Sequence, residues 1–202
     1  MRQTEIHTQP EFILLTGNCG AGKTTILNQL SHISFDETID CDIFKTNHPQ
    51  YYTEALNNES LMNEIHTWSN VLVSEQMTQI FDEGASTTSY VYDSSGANLN
   101  KMTAIIDDAK SAGFNVRLIH VEVAVGTSLR RNEIRASLGG RRVPVEVIET
   151  KATQIRNTMI SIIPLCDDVE IYNNDKDVVI GIHDSLNLVS SLSRTIEEFL
   201  QE

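Results

Sequence analysis

The sequence predicts an α/β protein of three layers, a mostly parallel sheet of about five strands with helices on both faces. Three observations lead there. Apolar runs of strand length alternate with longer segments of helical period, the signature of βαβ units. The first run, Phe12-Ile13-Leu14-Leu15, passes into Gly17-Asn18-Cys19-Gly20-Ala21-Gly22-Lys23-Thr24, a complete G-x-x-x-x-G-K-[ST] loop. The helically spaced Thr25-Ile26-Leu27-Asn28-Gln29-Leu30 follows at once. Finally, three predicted strands end in polar residues: the loop itself, Asp40/Asp42, and Asp93-Ser94-Ser95. Open α/β sheets hold their ligands beyond such strand ends, so the three should face one cleft.

Each element has its own signal. The first strand spans about Phe12–Thr16 and its helix runs from the loop to about Leu30. A short second strand ends near Ile39–Asp42, where Asp40 and Asp42, two apart, would point the same way. His48, before Pro49, marks a helix start. Leu61, Ile65, Trp68, Leu72, Met77, Ile80 and Phe81 trace a long amphipathic helix with Trp68 in the core, stopped at Gly84. Tyr90-Val91-Tyr92 is a third strand ending at Asp93. Asn98 to Ala112 reads as a helix with Gly113 at its C-terminal cap. Asn115 to Val125 is a fourth strand. Ser128 to Leu138 is an Arg-rich helix broken by Gly139-Gly140, and Pro144 suits the first turn of the next helix. Val169–Tyr172 is a fifth strand, and Ser185 to Leu200 a closing amphipathic helix.

With 202 residues the chain suits one domain, residues 1–202. The polar start, Met1 to Pro10, has no signal-peptide core, and no apolar run approaches a membrane span. Three cysteines without a C-x-x-C pair argue against a disulfide framework or zinc site, so a reducing cytoplasm is expected. The net charge of −13 opposes non-specific binding to polyanions. Yet Arg130, Arg131, Arg135, Arg141 and Arg142 cluster in one short stretch. A lid-like segment at about residues 128–146 could bring these guanidinium groups over a triphosphate. A solvated helix face paired with Glu133 and Glu146 is the simpler alternative.

The loop chemistry implies a nucleoside triphosphate. Its glycines let backbone N–H groups converge on phosphate oxygens, and the helix adds its positive N-terminal end. Gly17, Asn18, Cys19, Gly20, Ala21, Gly22, Lys23, Thr24 and Thr25 are the expected nucleotide-binding residues. Lys23 can reach the β/γ-phosphates, and the Thr24 hydroxyl can bind Mg²⁺. Asp42 reads either as a helix-capping residue or as the base that takes a proton from an acceptor hydroxyl. Asp93, after an apolar strand, reads either as a turn residue or as an acid that holds Mg²⁺ through water.

From Ile39 to Tyr51 the chain reads Ile-Asp-Cys-Asp-Ile-Phe-Lys-Thr-Asn-His-Pro-Gln-Tyr, which resembles the I-D-x-D-x-F-[RK]-x-x-H-P-x-[FY] segment of the zeta-toxin kinases. Gly140-Arg141-Arg142-Val143-Pro144 is similar to that family's G-R-x-V-P, and the likeness covers most of residues 11–175. The resemblance implies a P-loop kinase fold and transfer of the γ-phosphate of ATP or GTP, with Mg²⁺, to a hydroxyl. In the toxins the acceptor is an amino-sugar of a UDP-activated precursor. The resemblance makes Asp42 the general base and Lys23 the phosphate-binding lysine. Arg131 and Arg141 become the clamp on the transferring phosphate, and Lys45, His48, Asp93 and Ser95 face the acceptor. Asp93-Ser94-Ser95 replaces the family's Glu-Gly-Thr, and Ala97 replaces an arginine. The residues expected to touch the acceptor are thus those that differ, so UDP-N-acetylglucosamine is expected to be a poor acceptor.

The leading expectation is therefore a kinase acting on an acceptor hydroxyl. Two alternatives remain: a kinase for nucleotides or for hydroxymethylated bases in DNA, and a non-catalytic NTP-binding module. A switch module has no need of an acceptor base such as Asp42. Whether an antitoxin pairs with the chain is not legible in the sequence.

Overall fold

The computed structural model describes residues 9–175 and 193–201. The strands are β1 (Glu11–Thr16), β2 (Glu37–Asp40), β3 (Tyr90–Asp93), β4 (Asn115–Glu122), β5 (Asp168–Asn173) and β6 (Ser193–Arg194). They form one sheet in the order β2-β3-β1-β4-β5-β6. The first five are parallel, and β6 adds an antiparallel edge beside β5. The helices are α1 (Lys23–Leu27), α2 (Cys41–Asn47), α3 (Glu59–Glu83), α4 (Leu99–Ser111), α5 (Val125–Ser137), α6 (Val145–Ile162) and α7 (Ile196–Leu200).

Side-chain alternation along β1 explains the layering, since successive residues of a strand face opposite sides. Phe12 and Leu14 join Tyr92, Val116, Leu118 and Ile171 in a core closed by Val73 and Met77 of α3, Met102 and Ile106 of α4, Ile155 and Met159 of α6, and Phe199 of α7. Ile13 and Leu15 join Val91, Ile119, Val121 and Tyr172 in a second core, closed by Ile26, Leu27 and Leu30. Helices thus cover both faces, as expected. Both faces of β1 are apolar because both are buried, which is why parallel strands read as continuous hydrophobic runs. Each fully buried aliphatic side chain contributes about 1.5–3 kcal/mol.

The structure corrects several local expectations. The second strand stops at Asp40; Asp42 lies in the first turn of α2, so the two carboxylates do not share a strand face. His48 closes α2 as its C-cap instead of starting a helix. Trp68 is 40% exposed and meets the His48 ring edge-on at 5.1 Å; the buried face of α3 runs through Met62, Ile65, Ser69, Val73, Met77 and Ile80. The fourth strand ends at Glu122, and Val125 already belongs to α5. The first helix is regular only to Leu27, with turns continuing to Leu30. The expected helix from Ser185 lies outside the described residues up to 192; Ser193–Arg194 is a strand and the helix begins at Ile196. The Gly84 and Gly113 stops follow α3 and α4 as predicted, and Pro144 caps α6.

Candidate active site

The loop from Gly17 to Gly22 leaves β1 and opens α1. Gly17 has φ 146°, and a Cβ there would lie 2.4 Å from the Val121 carbonyl, so only glycine lets β1 and β4 run this close. Gly22 is in the left-handed region, φ 84°, which turns the chain into α1. The loop carbonyls are taken up from outside. Ser128 Oγ donates to Cys19 O, Arg131 to Gly20 O at 2.9 Å, and Asn174 Nδ2 to Ala21 O at 2.7 Å. Three loop carbonyls are thus engaged from outside the loop, while the first amides of α1 have no intrahelical acceptor and can meet phosphate oxygens.

Lys23 lies between this loop and the next strand end. Its Nζ donates to Gly17 O at 3.4 Å and is 3.4 Å from Asp93 Oδ1. Asp93 pairs in register with Leu15 on one side and Asp40 on the other. Burial pushes the Asp93 carboxyl up to about 6, against the pull of Lys23 and with a further push from Asp40 and Asp42. Burial also raises Asp40, whose carboxylate caps α2 by accepting from the Asp42 amide at 2.8 Å.

Asp42 behaves differently. Its crowded position favours the neutral acid, but Lys45, then Arg141 and Lys23, outweigh this and hold the carboxyl below the usual range. Lys45 is buried on α2, with Nζ 2.6 Å from Asp42 Oδ1, while the Asp42 side chain is 70% exposed. Asp42 is thus an ionised, accessible carboxylate fixed by a buried cation. It lies two strands from the loop, since β3 runs between β2 and β1.

The arginines divide. Arg131 donates to Gly20 O and Asn174 O, which ties it to the loop backbone. Arg135 donates to Cys19 Sγ at 3.1 Å and to Asn132 Oδ1 at 3.2 Å. Arg142 makes a bidentate pair with Glu133 on the exposed surface, as the solvated-face alternative foresaw for that residue. Arg141 acts on Asp42, Tyr51 and His66 instead. Its position is set by neighbouring backbone: Gly140 N donates to Arg135 O, and Val143 is bonded twice to the Asn132 side chain.

Of the remaining candidates, Asn18 is buried and donates to Ile148 O of α6 at 3.0 Å. Ser95 accepts from the Gly17 amide through its carbonyl. His48 accepts from the Gln50 amide. Thr24 and Thr25 are exposed. Sequence reasoning missed two titratable residues that the fold brings under the influence of Lys45 and Arg141. His66, on α3, is held neutral by burial and by Lys45 and Arg141, its pKa pushed down to about 4. Lys151, on α6, is lowered by burial and by Arg141 and Lys45. Neither belongs to a recognisable motif; only their places on inward-facing helix turns could have signalled them.

Among the described residues no group of three or more His, Cys, Asp or Glu is arranged to hold a metal. Thr24 and Asp93 nevertheless suit the expected Mg²⁺. The Thr24 hydroxyl is exposed, without a hydrogen-bond partner among the described residues, and Asp93 is a largely buried carboxylate whose charge Lys23 only partly offsets. No helix among the described residues is long and apolar enough to cross a membrane.

Comparison with known proteins agrees with this architecture. The family model for zeta toxin matches residues 2–185. The solved PezAT chromosomal toxin–antitoxin system of Streptococcus pneumoniae is similar at TM-score 0.61 and 19% identity, over 96% of this chain and 84% of that one. The AvrRxo1-ORF1:AvrRxo1-ORF2 complex with ATP is similar at TM-score 0.65 and 20% identity, over 84% of this chain and 56% of that one. The chain therefore spans little more than half of the AvrRxo1 protein. No curated protein matches by sequence.

Proposed function

The chain belongs to the zeta toxin family, and on that premise we propose that it is a kinase, transferring the γ-phosphate of ATP or GTP to an acceptor hydroxyl. The observation that carries this reading is the Asp42–Lys45 pair. An NTP-binding switch needs the loop and Lys23, but it has no use for an ionised, 70% exposed carboxylate held at 2.6 Å by a buried lysine beyond the phosphate site. ATP in the similar AvrRxo1 complex supports nucleotide use.

The roles follow from charge and placement. The loop amides and Lys23 hold the β- and γ-phosphates and offset their charge. Mg²⁺, held by Thr24 and through water by Asp93, would neutralise charge on the β- and γ-oxygens. Lys45 orients Asp42 without itself facing solvent, and Asp42 accepts the proton as the acceptor oxygen attacks. Arg141 meets the charge that spreads over the transferring group. Arg131 secures the Gly20 and Ala21 region, either directly or with Asn174, and thereby the amides that bind phosphate. Lys45, His48, Asp93 and Ser95 border the acceptor side.

The deciding experiment follows labelled γ-phosphate from ATP or GTP over a panel of UDP-sugars, nucleosides and hydroxymethylated DNA. Mg²⁺-dependent label on one acceptor, lost in Lys23→Ala, is expected. Tight nucleotide binding with no transfer to any of them would favour the non-catalytic module.

A further inference from the structure

The two buried residues of α5, Ser128 and Asn132, are both polar. They are four apart and share one helix face, where a packed helix ordinarily carries apolar side chains. Ser128 faces the phosphate loop, and its hydroxyl donates to Cys19 O. Asn132, one turn on and only 1% exposed, faces the segment that follows the helix. Its Nδ2 donates to Val143 O at 2.9 Å, and its Oδ1 accepts from Val143 N at 3.0 Å. The carboxamide thus exchanges two bonds with one residue's backbone, as paired residues of neighbouring strands do. Oδ1 also accepts from Arg135 Nη2 at 3.2 Å, the same nitrogen that donates to Cys19 Sγ at 3.1 Å.

The other end of that segment is held as well. Gly140 N donates to Arg135 O at 3.0 Å. A Cβ on Gly140 would lie 2.7 Å from Arg135 Cγ and 3.0 Å from the Arg135 carbonyl oxygen, so a side chain there would push the segment off the helix. Arg141 and Arg142 lie between these two attachments. Arg142 pairs with Glu133 on the exposed surface. Arg141 therefore has its backbone set from both sides by α5. That helix is itself fastened to the phosphate loop by Ser128 and by Arg131, which donates to Gly20 O at 2.9 Å. One helix links the loop to Arg141 through hydrogen bonds. Asparagine is a poor helix former, because its side chain competes for backbone partners. A buried amide with its bonds made fixes a single arrangement of the groups it touches.

We propose that Asn132 is a positioning residue for phosphoryl transfer: its clasp on Val143 sets where Arg141 stands relative to the phosphate loop. This rests on the kinase reading for the role of Arg141. Asn132 is buried beneath the segment and acts through Arg141 alone, so what it supplies is orientation of a group that meets the transferring charge.

The test is a double-mutant cycle on transfer, with hydrogen exchange measured beside it. Asn132→Leu fills the space without the amide. Asn132→Asp keeps the shape and the acceptor but loses the donor to Val143 O. Each should slow single-turnover transfer by about tenfold or more, the scale on which a misplaced group costs rate, with little change in nucleotide affinity. Combined with Arg141→Ala, neither should slow transfer further, because the residue through which Asn132 acts has gone. Hydrogen exchange over residues 139–143 should quicken in both variants. Thermal melts establish that they fold, and Asn132→Asp carries the test if Asn132→Leu does not. Losses that multiply in the double variants overturn the proposal and make Asn132 merely structural. Unchanged transfer in both single variants overturns it too, as does unchanged exchange over 139–143. A matching loss of nucleotide affinity also overturns it, by placing the effect in the loop. Absence of transfer in the wild type sinks the kinase reading and this role with it, whereas failure of the cycle in an active wild type sinks the role alone.

Discussion

Asp40 and Asp93 occupy paired positions at the ends of neighbouring parallel strands, and Lys23 is the cation that acts on both. Burial raises both carboxyls, so the fold holds two carboxylates together around one lysine. Asp42, in the first turn of α2, escapes the same fate because Lys45 pairs with it. The strand ends thus carry a raised pair beside the phosphate loop, and α2 adds a lowered, accessible acid just beyond them.

Asp93→Asn should stabilise the fold and impair turnover. The folded-state carboxyl sits at about 6, above its unfolded value of 3.8. A raised acid binds protons better when folded, so its penalty is present above pH 6 and is relieved as pH falls toward 4. Removing it should add at most about 3 kcal/mol at pH 7.5, less with screening, since the side chain is 17% exposed. Denaturant titration checks this; a lower midpoint for the variant would mean that the Lys23 pair outweighs the burial.

Acid should destabilise the protein, because the histidines oppose Asp93. His120 is buried, bonded to Thr16 Oγ1 at 2.9 Å, and burial pushes it down to about 3. His66 is pushed down to about 4. Each stays neutral while the unfolded chain protonates near 6.5, so stability present above 6.5 is lost as pH falls. Two histidines against one aspartate leave a net loss of roughly 1.4 kcal/mol per pH unit between 6 and 4, as an upper figure. Unfolding measured at pH 4.5, 6 and 7.5 should show this fall, steeper in Asp93→Asn; a flat profile would mean that water reaches both imidazoles.

The phosphate loop, the sheet and the strand ends at Asp40 and Asp93 were legible because each is a local pattern: glycines that permit one backbone path, and apolar runs bounded by polar residues. What was not legible was long-range. The Asp42–Lys45 spacing is visible in the chain, but the turn from strand to helix at Cys41 is not, because the Asp40 side chain that caps it also reads as a strand residue. His66 and Lys151 come under the influence of Lys45 and Arg141 only through packing of α3 and α6 on one face of the sheet. The Arg-rich segment looked uniform, yet tertiary partners separate it: backbone carbonyls hold Arg131, Glu133 takes Arg142, and Arg141 lowers the Asp42 carboxyl.

Lys23→Ala should abolish phosphoryl transfer, because its loss removes a charge aimed at the β/γ-phosphates, and should lower stability, because the half-buried Lys23 no longer offsets the Asp93 carboxylate. Asp42→Asn should leave ATP affinity nearly constant and cut the rate by about 10² or more. Nucleotide titration alongside single-turnover transfer separates the two; a joint collapse in Asp42→Asn would make that residue structural.

Arg131→Ala and Arg141→Ala should part company. Arg131 secures the loop through Gly20 O and Asn174 O, so its loss should weaken nucleotide binding as well as slow transfer. Arg141, which acts on the acceptor side, should slow transfer more than it weakens binding, since its target charge develops only in the transition state. Equal profiles for the two variants would refute this division.

UDP-N-acetylglucosamine should be a poor acceptor. In the family pattern a glutamate, a threonine and an arginine stand where this chain has Asp93, Ser95 and Ala97. Here the shorter Asp93 carboxylate is drawn to Lys23. The Ser95 carbonyl is tied to the Gly17 amide. Ala97 packs against the core and its carbonyl accepts from Thr158, so that position offers no side-chain donor. A site that loses the groups bonded to a sugar nucleotide rejects it strongly, because the sugar's polar groups are then desolvated without partners. Steady-state assays should therefore give transfer to this sugar nucleotide at least about a hundredfold below that to the best member of the acceptor panel. Efficient, saturable phosphorylation of UDP-N-acetylglucosamine would instead mean that Asp93 and Ser95 suffice to seat the sugar, and that the lost arginine was never needed for it.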